Sequence, residues 1–373
     1  MSHDDVTEID AILPHKERFT ALNGGAVSSV VYELARHDRQ PESQKIGVFG
    51  SPVDTPKEAV HFTALQAKPR FWQSRNLAFA KAYLAHLSDT GRRPCLVEVH
   101  GRPQVALAIA KARPDMRVVL YLHNDPRMIR GAKTIKDRQI LAQHLCAIIS
   151  ITDYVKSCFL DGLGDEGAYQ ARHFVNLLGV ERLISAPLQK QKTIFMAGRM
   201  VPEKGFLEAC QGAVSVLQDH PDWQISVAGG KYFAKGAASP YEKAVKDALA
   251  PLGRQAQIHG HLPLSDIRDR QARAEICVVP SLWQEPGGLT VLEALAAASA
   301  LITTANGGIP EFANGRALMV TDQSAGGFGK AMRSLIEDES ARQKLQKTAF
   351  ADFPFTSERM RLEAMRIRDE ILR

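Results

Sequence analysis

The sequence predicts an α/β protein of two Rossmann-like lobes, each on a parallel sheet, facing across a central cleft that holds the ligand. Two observations carry this. Short apolar runs alternate with helix-like stretches, and the alternation starts afresh near residue 193. Length agrees, since 373 residues suit two domains of ordinary size better than one.

In the first half, strands are expected at Asp10–Leu13, Lys45–Phe49, Ala59–Leu65, Leu96–Val99, Val118–Leu122, Ala147–Ile151 and His173–Leu177. Helical periodicity is clearest over Val27–Arg36, Phe71–Leu87, Gln104–Lys111 and Asp153–Leu160. The second set of strands is expected at Thr193–Ala197, Gln224–Ala228, Ala256–His259, Ile276–Pro280, Leu301–Thr304 and Leu318–Val320. Its helices are expected at Lys204–Leu217, Pro240–Leu252, Ser265–Ala274 and Thr290–Ala298. Val180–Lys192 is polar, contains Pro187 and reads as the linker. Domains are therefore expected at 1–182 and 183–355, with a charged amphipathic helix over 356–373 packing back on the first lobe.

Composition narrows the function. The chain is 45% hydrophobic and 24% charged, as in globular proteins, and no apolar run is long enough to span a bilayer. Met1-Ser2-His3-Asp4-Asp5 is acidic where a signal peptide is basic, so a cytoplasmic location is expected. Five scattered cysteines without a Cys-x-x-Cys pair argue against a disulfide framework and a structural zinc. The net charge of +6 is spread over both halves, so no nucleic-acid partner is expected.

Four segments carry chemistry. In Glu285-Pro286-Gly287-Gly288-Leu289-Thr290-Val291-Leu292-Glu293, a loop after a buried strand carries Glu285, and two glycines open a helix. Gly287, Gly288, Leu289 and Thr290 then bring backbone N–H groups and a helix N-terminus to a diphosphate. Glu293, a turn and a half on, suits both hydroxyls of a ribose. In Gly198-Arg199-Met200-Val201-Pro202-Glu203-Lys204-Gly205, Arg199 and Lys204 supply two fixed cations for a diphosphate. The turn at Asn23-Gly24-Gly25-Ala26 opens a helix and admits a phosphate or a sugar. His123-Asn124-Asp125 follows a parallel strand, where ligands sit; His100-Gly101-Arg102 is a weaker case of the same kind. No Gly-x-Gly-x-x-Gly fingerprint follows the first strand, which speaks against NAD or FAD.

These segments, in this order, resemble the family-4 retaining glycosyltransferases of the GT-B fold, from Asp10 to about Glu311, including Gly307-Gly308-Ile309-Pro310-Glu311. The resemblance implies that Glu285 lies near the donor sugar and Glu293 binds the nucleotide ribose. It matches Arg199 and Lys204 to the phosphate-binding pair, Gly24 and Gly25 to the glycine turn, and His123 to the histidine near the reaction centre. It makes His123 and Glu285 the catalytic candidates, the first lobe the acceptor side and the second the donor side. The sequence departs from the family at Val27, where a glutamate is usual, and at Asn176-Leu177-Leu178-Gly179-Val180-Glu181.

A nucleotide sugar, UDP- or GDP-linked, is the implied co-substrate, with no cofactor and no metal, since no Asp-x-Asp motif is present. The expected acceptor is a glycan or lipid-linked acceptor in lipopolysaccharide, exopolysaccharide or other cell-envelope synthesis. Peripheral contact with an anionic membrane goes with it, and Lys16, Arg18, Lys133, Lys136 and Arg138 are the residues placed to make it. The competing readings are a non-catalytic sugar-nucleotide-binding partner subunit and an epimerase or phosphorylase on the same fold.

Overall fold

The computed structural model describes residues 7–21, 24–39, 44–68, 71, 74–182, 184–230, 238–351 and 353–373. The chain divides into two compact units, Met1–Leu178 with Ser357–Arg373, and Gly179–Thr356.

The first unit is a seven-stranded parallel sheet of β1 (Thr7–Ile12), β2 (Gln44–Gly50), β3 (His61–Ala64), β4 (Leu96–His100), β5 (Val118–Leu122), β6 (Ala147–Ser150) and β7 (Arg172–Val175). Its order is β3-β2-β1-β4-β5-β6-β7. The second unit is a six-stranded parallel sheet of β8 (Gln191–Ala197), β9 (Gln224–Ala228), β10 (Ala256–Ile258), β11 (Ala274–Val279), β12 (Ala300–Thr304) and β13 (Ala317–Val320). Its order is β10-β9-β8-β11-β12-β13. In both sheets the order reverses beside the first strand, between β1 and β4 and between β8 and β11. Ligands of open parallel sheets bind beyond the strand carboxyl ends at such a switch point.

The strands form where the apolar runs are. β4 and β5 are buried along their whole length, as strands covered on both faces must be. Helices start at polar caps. Ser74 accepts from Leu77 N–H at 3.2 Å and starts the second helix at Arg75, later than its periodicity suggests. Thr134 and Asp137 form a capping box ahead of the helix Ile135–His144. The cysteines are all free. Val180–Lys192 is pinned at both ends. Val180 N–H donates to Phe355 C=O, and Lys190 Nζ donates to Ala272 C=O at 2.8 Å and Ala297 C=O at 3.0 Å.

The helix Ser357–Leu372 belongs to the first unit and is fastened there by charge. Arg368 meets Glu98 of β4 through Nε and Nη2, both at 2.8 Å, and each side chain is 1% exposed. A buried pair is costly to break because one charge is left behind. Arg368→Met is therefore expected to lower unfolding free energy by about 3–5 kcal/mol. Urea denaturation checks this, and the double variant Arg368→Met/Glu98→Leu is expected to recover most of the loss.

Candidate active site

In the second unit the polar loops after β8 and β11 lie side by side, because those strands pair. The loop after β8 carries Arg199 and Lys204; the loop after β11 carries Glu285. Gly205 allows the close approach. Its φ is +67°, and a Cβ there would sit 2.0 Å from Pro280 C=O. The loops are tied where Leu282 and Trp283 N–H both donate to Glu203 C=O at 3.0 Å.

Glu285 is 8% exposed. Its carboxylate oxygen Oε1 accepts from Lys204 Nζ and, at 2.6 Å, from Ser281 Oγ. Its backbone is fixed as well, since Gly308 N–H donates to Glu285 C=O at 2.7 Å. Gly307 serves that contact. It has φ +65°, and a Cβ would meet Glu285 C=O at 2.2 Å. Ser281 is itself braced, its C=O accepting from Thr304 Oγ1 at 2.7 Å and Asn306 Nδ2 at 2.9 Å. Lys204, Ser281 and Glu285 thus form one rigid polar cluster at the switch point. Arg199 is exposed, and its guanidinium has no hydrogen bond or ion pair among the described residues.

The helix Leu289–Ala296 begins beside this cluster. The N–H groups of Gly287, Gly288, Leu289 and Thr290 have no acceptor among the described residues, as at any uncapped helix start. They leave donors and a positive dipole end available to an anion. Glu293, further along, is partly buried, and its carboxyl has no hydrogen-bond partner among the described residues. Its carboxyl borders a cavity of about 30 Å³ lined by Glu181, Arg268, Gln271 and Ala296 among others. Burial pushes the carboxyl up to about 7, and Arg268 opposes the shift.

In the first unit, Gly24 and Gly25 precede the helix Ala26–Ala35; Asn23 lies outside the described residues. The start of this helix faces an acid from elsewhere in the chain. Ser28 N–H donates to Glu17 Oε1 at 2.9 Å, and a Cβ on Gly25 would lie 2.6 Å from that oxygen. The position two after the glycines is Val27, and Glu17 brings a carboxylate to the same helix start. His123 follows β5, is 7% exposed, and its Nε2 lies 2.9 Å from Nδ1 of His100. Arg102 is half-buried, donates to Gly101 C=O at 2.8 Å and has no salt bridge among the described residues.

One basic residue does not face outward as its sequence position suggests. Arg138 is 2% exposed, and its guanidinium donates to C=O of Phe159, Lys133 and Asp161 at 2.8, 3.1 and 2.5 Å. It fastens the Ile135–His144 helix to the segment after Asp153–Leu160 and is unavailable to a membrane or an acceptor.

Two parallel-sheet units with this strand order and switch-point loops form the GT-B architecture. HepE of Anabaena, solved in complex with UDP, superposes with a TM-score of 0.77 over 98% of this chain and 100% of that one, at 13% identity. Residues 181–352 match the family model described as glycosyl transferases group 1. The match covers the second unit, where Arg199, Lys204, Glu285 and Glu293 lie. YtcC of Bacillus subtilis is 25% identical over 292 residues, 72% of each chain. The lipopolysaccharide 1,2-N-acetylglucosaminetransferase of Salmonella typhimurium is 25% identical over 232 residues, 60% of this chain and 58% of that one.

Proposed function

We propose that the chain is a retaining glycosyltransferase that moves a sugar from a UDP- or GDP-linked donor to a glycan or lipid-linked acceptor in cell-envelope synthesis. The observation that carries this is the Lys204–Glu285–Ser281 cluster beside the unpaired amides of Gly288 and Leu289, on loops that flank the switch point. The group 1 match over the same residues supports it, as do the Salmonella relative's name and the UDP in HepE.

In this reading Arg199, Lys204 and the amides of Gly288 and Leu289 take the charge that grows on the leaving diphosphate. Glu293 accepts both ribose hydroxyls, and Glu285 stands against the sugar, where positive charge develops at the anomeric carbon. The bond from that carbon to the phosphate oxygen breaks as the acceptor oxygen bonds from the same face. The acceptor's proton passes to the departing phosphate oxygen, so configuration is retained. Gly24 and Gly25, with Glu17, and His123 serve from the first unit. Catalysis is then fixed electrostatics and positioning.

Thermal-shift screening with UDP-, GDP-, ADP- and dTDP-sugars, repeated on Glu293→Ala, tests the donor role. One nucleotide class should raise the midpoint in the wild type, and the variant should lose most of that rise. An unchanged rise in the variant removes the ribose role. The same scheme needs no divalent ion. Turnover is expected to survive EDTA, and loss with rescue by manganese contradicts it.

The reading includes contact with an anionic membrane, for which exposed cations of the first unit are the candidates. Met128 and Ile135 are 61% and 47% exposed, and Arg130, Lys133 and Lys136 beside them are exposed cations. Each such cation contributes about 1 kcal/mol to binding an anionic surface. Flotation with anionic vesicles should carry the protein, and Lys133→Glu/Lys136→Glu should abolish this. Equal flotation of the variant, or with zwitterionic vesicles, refutes the charge role. No helix among the described residues is long and apolar enough to cross a membrane.

A further inference from the structure

The first unit holds a second imidazole that the reaction scheme leaves unused. His100 ends β4, His123 follows β5, and the strands pair with His100 beside Tyr121. His100 Nδ1 lies 2.9 Å from His123 Nε2. The Tyr121 ring stacks on both, with centroids 4.9 Å from His100 and 5.1 Å from His123 at interplanar angles of 19° and 18°. His100 is 1% exposed. One hydrogen bond and one shared ring therefore fix the orientation of His123.

Both imidazoles are neutral near pH 7. Burial takes His100 down to about 3, with the Arg368 cation adding to the effect. Burial also takes His123 well below 6.5, with His100 adding. Arg368 on the helix Ser357–Leu372 acts on His100, and Glu98 on β4, Arg368 and Glu363 act on the Tyr121 hydroxyl between the strands. Between two neutral imidazoles one nitrogen must donate and the other accept.

We infer that His100, through the Nδ1–Nε2 contact and the Tyr121 ring that both imidazoles stack on, holds His123 in one orientation and one neutral tautomer toward the substrate. The substrate clause rests on His123 serving the transfer proposed above. His100 is a positioning residue, acting through His123.

The test uses the full chain labelled with 15N-histidine, with His123 assigned by loss of its signals in His123→Ala. The ring nitrogens of His123 should report a single neutral tautomer from pH 8 to pH 5. Two tautomers in exchange, or titration near 6.5, overturns the inference. Kinetics read the consequence. His100→Phe keeps a ring against Tyr121 but removes the hydrogen-bond partner, and kcat should fall on the order of 10-fold with donor binding unchanged. His100→Asn restores a side chain able to donate or accept and should recover most of that loss. The Phe variant should also gain an acidic limb in its pH–rate profile, because His123 loses the partner that fixes it. Equal loss in both variants without such a limb means shape alone, and overturns the positioning role. If His123→Ala keeps full activity while the locked tautomer is observed, the role of His123 in transfer falls and the dyad stands.

Discussion

Glu285→Ala is expected to lower kcat about 100- to 1,000-fold while donor binding changes by no more than about threefold. The size follows from where the carboxylate is. It is almost buried, held by Ser281 Oγ at 2.6 Å and by Lys204, on a backbone fixed by Gly308 N–H. A charge in so fixed a place acts on the transition state without reorganising. The backbone contacts do not involve the side chain, so alanine leaves the loop in place. Glu285→Gln separates charge from shape, since its amide oxygen still accepts from Ser281. If the negative charge matters, glutamine falls nearly as far as alanine. Wild-type kcat in the glutamine variant removes the electrostatic role. A large loss of donor binding instead makes Glu285 a donor-holding group.

Donor affinity is expected to weaken about tenfold between pH 8 and pH 6, through Glu293. In the free protein burial holds this carboxyl near 7, above its ordinary 4.5. Ribose hydroxyls donate to the ionised form, so binding below pH 7 must first remove a proton. Each pH unit below 7 then costs about 1.4 kcal/mol of binding, or tenfold. Glu293→Gln should bind weakly and show no such slope, which calorimetric titration across the range will read. Stability should move the other way. A carboxyl raised on folding lowers stability as pH rises from about 4.5 through 7, and the cost is complete above 7. Glu293→Gln without ligand should therefore melt higher than wild type at pH 8, and alike below pH 4.5. A variant less stable than wild type at pH 8 shows that the carboxylate holds the fold instead.

The strands were legible because buried parallel strands are short apolar runs with polar ends. Gln224–Ala228 and Val118–Leu122 form within the expected limits. The sequence reading leaves out the helices Ala325–Glu337 and Glu339–Ala351, and for the first of them glycine is one reason. Gly326, Gly327 and Gly329 read as helix breakers. In the structure Gly329 packs on Gly212 of the helix Phe206–Leu217, where a Cβ on Gly212 would lie 2.7 Å from Gly329 N. That use of glycine is tertiary, so a local reading penalises it. The helix Ile135–His144 did carry a local signal, the Thr134-x-x-Asp137 capping box.

Among the site residues, those near one another in sequence were the easiest to read. Glu285, the glycines and Glu293 share one strand–loop–helix segment, with its own internal logic. The Lys204–Glu285 contact joins residues 81 apart, and the pairing of β8 with β11 creates it. Glu17 at the start of the Ala26–Ala35 helix had no sequence signal, since a lone acid in a loop is ordinary. His100 had half a signal, a polar residue at a strand end. Its partnership with His123 needed the register that sets β4 beside β5. Arg138 shows the converse, a basic residue expected among the membrane-facing cations that four carbonyls draw inside.

The most direct test of the transfer reading incubates the protein with each nucleotide sugar and a cell-envelope glycolipid extract. Nucleoside diphosphate release and the anomeric coupling of the transferred sugar are then read together by NMR. The expected result is release from one nucleotide class, an α-linked product from an α-linked donor, and loss of both in Glu285→Ala. A β-linked product would contradict retention, and release that survives in Glu285→Ala would contradict the site.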